Sequence, residues 1–277
     1  VGYLGELSLG HAGFMCIGAF SSAFFSKYME ASGMNETVRF ILAIIIGTLC
    51  AALFGFLIGI PVLRLNGDYL AIVTLAFGEI IKSLITNLYI GKDADGLHIS
   101  LLEQKFQLGE GGKMLINGPI GLSGMRSVNG FLVGIVLILL CLMIIFHLVN
   151  SKSGRAIMAL RDNRIAAESV GINVTKYKLL AFTLSATFAG VAGVLYSFSN
   201  YNVQSAKFGY NYSIEILVMV VLGGMGSING SIIAAALITF LNKELATGLT
   251  GDLAVLKDLV YALIGVELLA ASPGDKR

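Results

Sequence analysis

Seven runs of uncharged or nearly uncharged residues dominate the chain, at 7–26, 40–63, 69–90, 128–150, 179–203, 212–246 and 254–271. About 20 apolar residues cross a bilayer core, so a run of 18 or more with few charges reads as a spanning helix. The sixth run is long enough for two passes, and "LGGMGSING" at 222–230 divides it with glycines and an Asn, which favour a turn or a broken helix. Lipid offers no partner to an exposed backbone N–H or C=O, which leaves helices as the solution for runs of this length. The expectation is an all-α polytopic bundle of about eight membrane segments, one membrane domain over residues 1–277.

Composition agrees, with 56% hydrophobic and 13% charged residues against about 25% charged in a soluble protein. A net charge of +2 gives no footprint for nucleic acid. Cys16, Cys50 and Cys141 stand in apolar surroundings at no spacing that suggests a disulfide framework or zinc site, and read as small buried hydrophobes. The sequence has no Walker-type phosphate loop, GxSxG or HExxH, so neither an enzyme nor a bound cofactor is expected. If nucleotide energy drives the protein, a partner supplies it. The opening "VGYLGELSLG" has no initiator Met and no basic n-region, so it is not a signal peptide, and a natural start is expected to be missing.

Lys and Arg in short loops set orientation. Lys152, Arg155, Arg161, Arg164, Lys176 and Lys178 crowd the loop at 150–178, which places it in the cytoplasm. Alternation then puts Arg64 inside, "SKYMEASGMNET" (26–37) and the stretch 91–127 outside, and the closing "SPGDKR" inside. The stretch 91–127 has balanced charge, many glycines and no clear period. It is expected to pack on the outer face without forming a domain.

Ionisable groups at membrane depth are rare, and each calls for a named partner. In "LAFGEIIKS" a helix starting at Asp68 carries Glu79 about 16 Å into the membrane, and Lys82 follows one turn on. Two readings stand: a self-neutralised structural pair facing other helices, or a pair with a role in transport. His11 reads as a hydrogen-bonded packing residue or a polar group on the pathway, and no second His or Cys stands at metal-ligand spacing from it. Glu6, Glu215 and Glu267 fall near span boundaries. Gly223, Gly224 and Gly226 either expose backbone groups along a pathway or make the turn between two helices. Gly55 with Gly59, and Ala189 with Gly193, have the small-residue spacing that lets helix backbones approach.

The polar loop "SKSGRAIMALRDNRIAAESVGINV" at 151–174 has its own pattern. On a helical wheel Arg161, Arg164 and Glu168 fall within about 60° of one another, while Ala156, Ala159, Leu160, Asn163, Ala166, Ala167 and Val170 form a stripe about 120° wide elsewhere. One amphipathic helix is expected, capped by Ser153 and stopped at Gly171 before Ile172. Arg164 precedes Glu168 at i,i+4, the weaker orientation for an intrahelical pair, so these charges are better suited to face a partner. A basic loop lying on lipid headgroups is the alternative, but headgroup helices favour Leu, Phe or Trp over Ala on the buried face.

"RDNRIAAESVGINVTKYKLLAF" resembles the cytoplasmic segment of permeases from branched-chain amino-acid ABC importers of the LivM type. The likeness extends through "GYLGELSLGHAGFMCIGAF", "GDYLAIVTLAFGEIIKSLI" at 67–85 and "SIEILVMVVLGGMGSINGSIIAAAL" at 213–237, in the family's order. The resemblance implies that 151–176 is a coupling loop whose helix docks on an ATPase subunit, with Gly154, Arg155, Arg161, Asn163, Arg164, Ala166, Ala167, Glu168 and Gly171 as its candidate residues. Ala166, Ala167 and Gly171 match the family's Glu-Ala-Ala-three-residues-Gly pattern; Ile165 stands in the Glu position, with Glu168 one turn away. It further implies a second related permease of the LivH type, two ATPase subunits that bind the ATP, and an extracytoplasmic amino-acid-binding protein. Leu, Ile and Val are the implied substrates, moved by alternating access across a bacterial or archaeal inner membrane. The family carries a spanning segment before "GYLGELSLG" and an Arg-Pro-bearing tail, whereas this chain closes with "GVELLAASPGDKR". A permease for urea or another small solute shares the architecture. An ion-coupled secondary transporter would instead use Glu79 and Lys82 as its coupling pair.

Overall fold

The computed structural model describes residues 2–65, 67–93, 96–102, 112–125 and 130–248. The run 254–271, Glu267 and "SPGDKR" lie outside these residues. The described residues form two compact units, one within 6–213 and one that joins 2–5 to 214–248.

In the larger unit α1 (His11–Tyr28), α2 (Glu36–Val62), α3 (Asp68–Thr86), α4 (Gly130–Asn150) and α7 (Val174–Ser199) are the long helices, with α5 (Lys152–Asp162) and α6 (Arg164–Ser169) between α4 and α7. α8 (Tyr210–Leu222) begins at the end of this unit, and α9 (Ile228–Gly248) belongs to the smaller one. Among the described residues, four helices are long and apolar enough to cross a membrane: α2, α3 from Tyr69, α4 from Phe131, and α7. The sixth apolar run forms two helices whose apolar parts, Tyr210–Leu222 and Ile228–Lys243, are shorter than a full crossing. Of the about eight spans expected, four full-length ones stand among the described residues, and the run 254–271 lies outside them.

Helices α1, α2 and α7 form the centre of the unit because small residues line their shared faces. A Cβ added at Gly18 would strike the backbone of Gly190, one at Gly193 would strike the carbonyl of Met15, and one at Gly47 would lie 2.8 Å from the Gly18 carbonyl oxygen. Backbones approach at these points and dispersion contacts replace the hydrophobic drive that lipid cannot supply. Gly55 meets Ala186 across the same α2–α7 contact, so the small-residue spacing seen in the sequence is used for packing. Phe14, Ile17, Ile58, Val62, Leu70, Ile81 and Phe182 fill the remaining space. α4 has none of its apolar window buried, as suits a helix solvated by lipid tails along its length.

The stretch 91–127 departs from the expected irregular loop. α3 stops at Thr86, and β1 (Leu88–Asp93), β2 (Gly96–Leu101) and β3 (Lys113–Asn117) form an antiparallel sheet in the order β2-β1-β3. A two-stranded ribbon pairs β4 (Leu122–Ser123) with β5 (Asn202–Val203), tying this region to the end of α7.

Candidate functional site

The candidate coupling loop forms two helices where the sequence pattern predicts one. Asn163 leaves helical geometry at φ −156°, ψ 106°, closes α5 with its N–H on the Ala159 carbonyl, and opens α6 by accepting the Ala166 N–H on its side chain at 3.0 Å. An Asx side chain offers the backbone this alternative to helix continuation, which is why the wheel failed at that residue. The start also moves: Ser151, not Ser153, caps α5 by accepting the Gly154 N–H at 3.2 Å. Gly154 is buried against the carbonyls of Leu148 and Val149, where a Cβ has no room, and Arg155 donates to the Asn150 carbonyl at 3.1 Å. These two residues fix the corner between α4 and α5.

Gly171 ends α6 as the sequence predicts. Its φ is +86°, its N–H donates to the Glu168 carbonyl, and the Ile172 N–H reaches back to Ala167 at 3.1 Å. This pair of bonds is the Schellman arrangement, which needs a left-handed residue.

The break redistributes the predicted faces. Ala156, Ile157, Leu160 and Ala167 are buried, and Leu160 and Ala167 pack with Val174 beside Ala159, Ile172 and Tyr177. Much of the Ala-rich stripe thus holds the loop to the foot of α7 instead of presenting itself outward. What α6 does expose is Arg164, Ala166, Glu168, Ile165 at 80% and Val170 at 75%, with Arg161 exposed at the end of α5.

A second constellation lies on α3. Lys82 Nζ donates to Glu79 Oε2 at 3.0 Å, and Glu79 Oε1 accepts the backbone N–H of Tyr210, the first residue of α8, at 2.6 Å. Thr86 and Ser205 hydroxyls meet at 2.8 Å nearer the end of α3. The chain before α8 therefore descends alongside α3, and α8 starts about 10 Å below the Thr86 end at about 1.5 Å per residue. Irregular backbone at such depth persists only where protein partners satisfy it, and here the Glu79 carboxylate does so.

Two further polar contacts join segments remote in sequence. His11 Nε2 and Ser185 Oγ lie 2.7 Å apart between α1 and α7. Lys178, buried one turn into α7, pairs with Glu6, whose second carboxylate oxygen is buried with no hydrogen-bond partner among the described residues. Sequence reasoning placed Lys178 among the loop charges and Glu6 at a boundary; no local signal pairs residues so far apart. In the smaller unit Asn242 donates to Glu215 at 2.6 Å. There Gly223 abuts Gly230 and Ser231 with no room for a Cβ, while Gly224 and Gly226 take φ of +88° and +96° and make the turn from α8 to α9. Among the described residues no group of three His, Cys, Asp or Glu side chains could hold a metal ion.

Apolar helices joined by glycine contacts, polar groups bonded in pairs, and a polar two-helix loop between two spans describe a multi-pass membrane protein. The whole of residues 1–271 matches the family described as the branched-chain amino acid transport system permease component, and the chain belongs to that family. It is 39% identical over 255 residues to the high-affinity branched-chain amino acid transport system permease protein LivM of Escherichia coli K12, covering 88% of this chain and 58% of that protein. The LivM protein of Salmonella typhimurium is 38% identical over the same shares. The nucleoside ABC transporter permease protein NupC of Lactococcus lactis is 28% identical over 70% of this chain and 59% of its own length. The chain thus spans a little under three-fifths of the length of these relatives. No solved structure matches.

Proposed function

We propose that this chain is a permease subunit of an ATP-driven importer for Leu, Ile and Val, working with a second permease of the LivH type, two ATPase subunits and an extracytoplasmic binding protein. The observation that carries the proposal is the identity to LivM proteins across seven-eighths of the chain. In this reading residues 151–176 face the cytoplasm, as does the C-terminus, and α6 docks on an ATPase through Ile165, Val170 and the charges of Arg161, Arg164 and Glu168. Because Leu160 and Ala167 hold α5 and α6 to the foot of α7, movement of the docked ATPases passes into the α1–α2–α7 packing and alternates access. The ATPases supply the nucleotide chemistry and the permease binds no cofactor.

The similarity to a nucleoside permease supports a second substrate class on the same architecture. ATP-dependent uptake into proteoliposomes holding the complete complex decides between them, comparing leucine, a nucleoside and urea, each with its cognate binding protein. Leucine uptake is expected. Transport by the purified permease alone in an ion gradient would overturn the importer reading and return Glu79 and Lys82 to the role of an ion-coupling pair.

A further inference from the structure

Where the apolar residues of α1 give out at Ser26, Lys27 and Tyr28 meet the β1–β3 sheet around a cavity of about 430 Å³, lined also by Glu30, Lys92, Asp93, Lys113, Met114 and Leu115. Lys92 and Lys113 are directly opposite one another in the β1–β3 register. Like charges in that relation destabilise a sheet, and nothing in the strand pattern requires them. Lys92 is held by Tyr28, with Nζ 4.1 Å from the ring centroid and 3.4 Å from the backbone carbonyl. Lys27 is half-buried beside them; burial lowers its pKa from the ordinary value, the Glu30 carboxylate opposes that shift and the Lys113 ammonium adds to it. Among the described residues, three ammonium groups against two carboxylates line the cavity, an excess of positive charge. Tyr28, Met114 and Leu115 give it an apolar side.

The geometry points to an oxyanion site, in which Lys27, Lys92 and Lys113 converge on a phosphate or carboxylate group and the apolar side accepts the rest of the ligand. Ammonium groups bind such anions as compact point charges on flexible stems, so three of them from separate elements close around one group. Binding of an anion relieves the repulsion between Lys92 and Lys113. The site lies one residue beyond the apolar part of α1, so the oxyanion arrives either free or on a lipid headgroup.

Amine acylation followed by mass spectrometry tests this on the full chain. In neutral detergent, inorganic phosphate at ten times its Kd is expected to lower the labelling of Lys27, Lys92 and Lys113 by about tenfold while Lys152 is unchanged. Protection in phosphatidylglycerol nanodiscs without phosphate, and none in phosphatidylcholine, assigns the anion to the lipid. Lys113→Gln is expected to abolish protection of Lys27 and Lys92, and Lys113→Arg to restore it. Equal labelling of the three lysines under all these conditions, or a change shared by Lys152, overturns the proposal.

Discussion

Glu79 Oε1 accepts the backbone N–H of Tyr210 at 2.6 Å, so a side chain on one helix caps the first turn of another 131 positions later. The same carboxylate holds Lys82 at 3.0 Å. A structural duty is thereby visible for a pair whose sequence leaves both a structural and a transport reading open.

Glu79→Ala removes the cap and leaves the Lys82 ammonium without its carboxylate. Loss of an N-terminal cap costs about 0.5–2 kcal/mol, and a lower midpoint of thermal unfolding in detergent is expected. Glu79→Gln keeps an acceptor for Tyr210 and falls between. In a double-mutant cycle with Lys82→Met, a coupling of about 0.5 kcal/mol or more is expected for groups in contact. Strict additivity would show that the ion pair contributes nothing.

Lys178→Met leaves the Glu6 carboxylate buried beside an apolar chain. Removing one partner of a buried pair costs about 3–5 kcal/mol, whereas replacing both is often near neutral. Lys178→Met should therefore fail to accumulate as folded protein, and Lys178→Met with Glu6→Leu should recover. Size-exclusion profiles of the two variants measure this; a double variant worse than the single one would show that the pair holds more than its own charges.

Gly18→Leu pushes α1 from α7, since even a Cβ there collides with the backbone of Gly190. Overpacking costs about 1–3 kcal/mol or more. Gly134→Leu on α4 has nothing within 4 Å to meet and should be tolerated. Equal yields of folded protein from the two variants would contradict the central packing described above.

Four spans are legible because a long uncharged run has one outcome in lipid, and Gly171 because φ of +86° admits few other residues. The place of Asn163 on the apolar side of the wheel hides its ability to cap; the signal is an Asn two residues before a short apolar group, in "NRIAAES". The sheet at 88–117 escaped because strands of five or six residues depend on cross-strand partners, and glycines blur the alternation of "LYIGKD" and "GLHISL". Pairings such as Glu6 with Lys178 or Glu79 with Tyr210 are products of tertiary packing, and periodicity holds no record of them.

If α6 is the docking element, the divided loop lets docking be tested apart from folding. Ile165 is 80% exposed, so Ile165→Ala should leave the unfolding midpoint unchanged and still weaken binding of the ATPase subunits if α6 is the docking element. Asn163→Ala, by contrast, removes the acceptor for the Ala166 N–H and costs about 1 kcal/mol locally. It also favours one continuous helix across α5 and α6, which swings Ile165 and Glu168 away from their present face. Gly171→Pro is more severe, because proline fixes φ near −65° where the chain needs +86°. All three should insert in the membrane normally, with uptake and stimulated ATPase activity falling in the order Ile165→Ala, Asn163→Ala, Gly171→Pro. Arg161→Glu with Arg164→Glu should abolish uptake as completely as Gly171→Pro. Full transport by the Gly171→Pro variant would reduce the loop to a topology signal, since no docking helix could survive with its end so displaced.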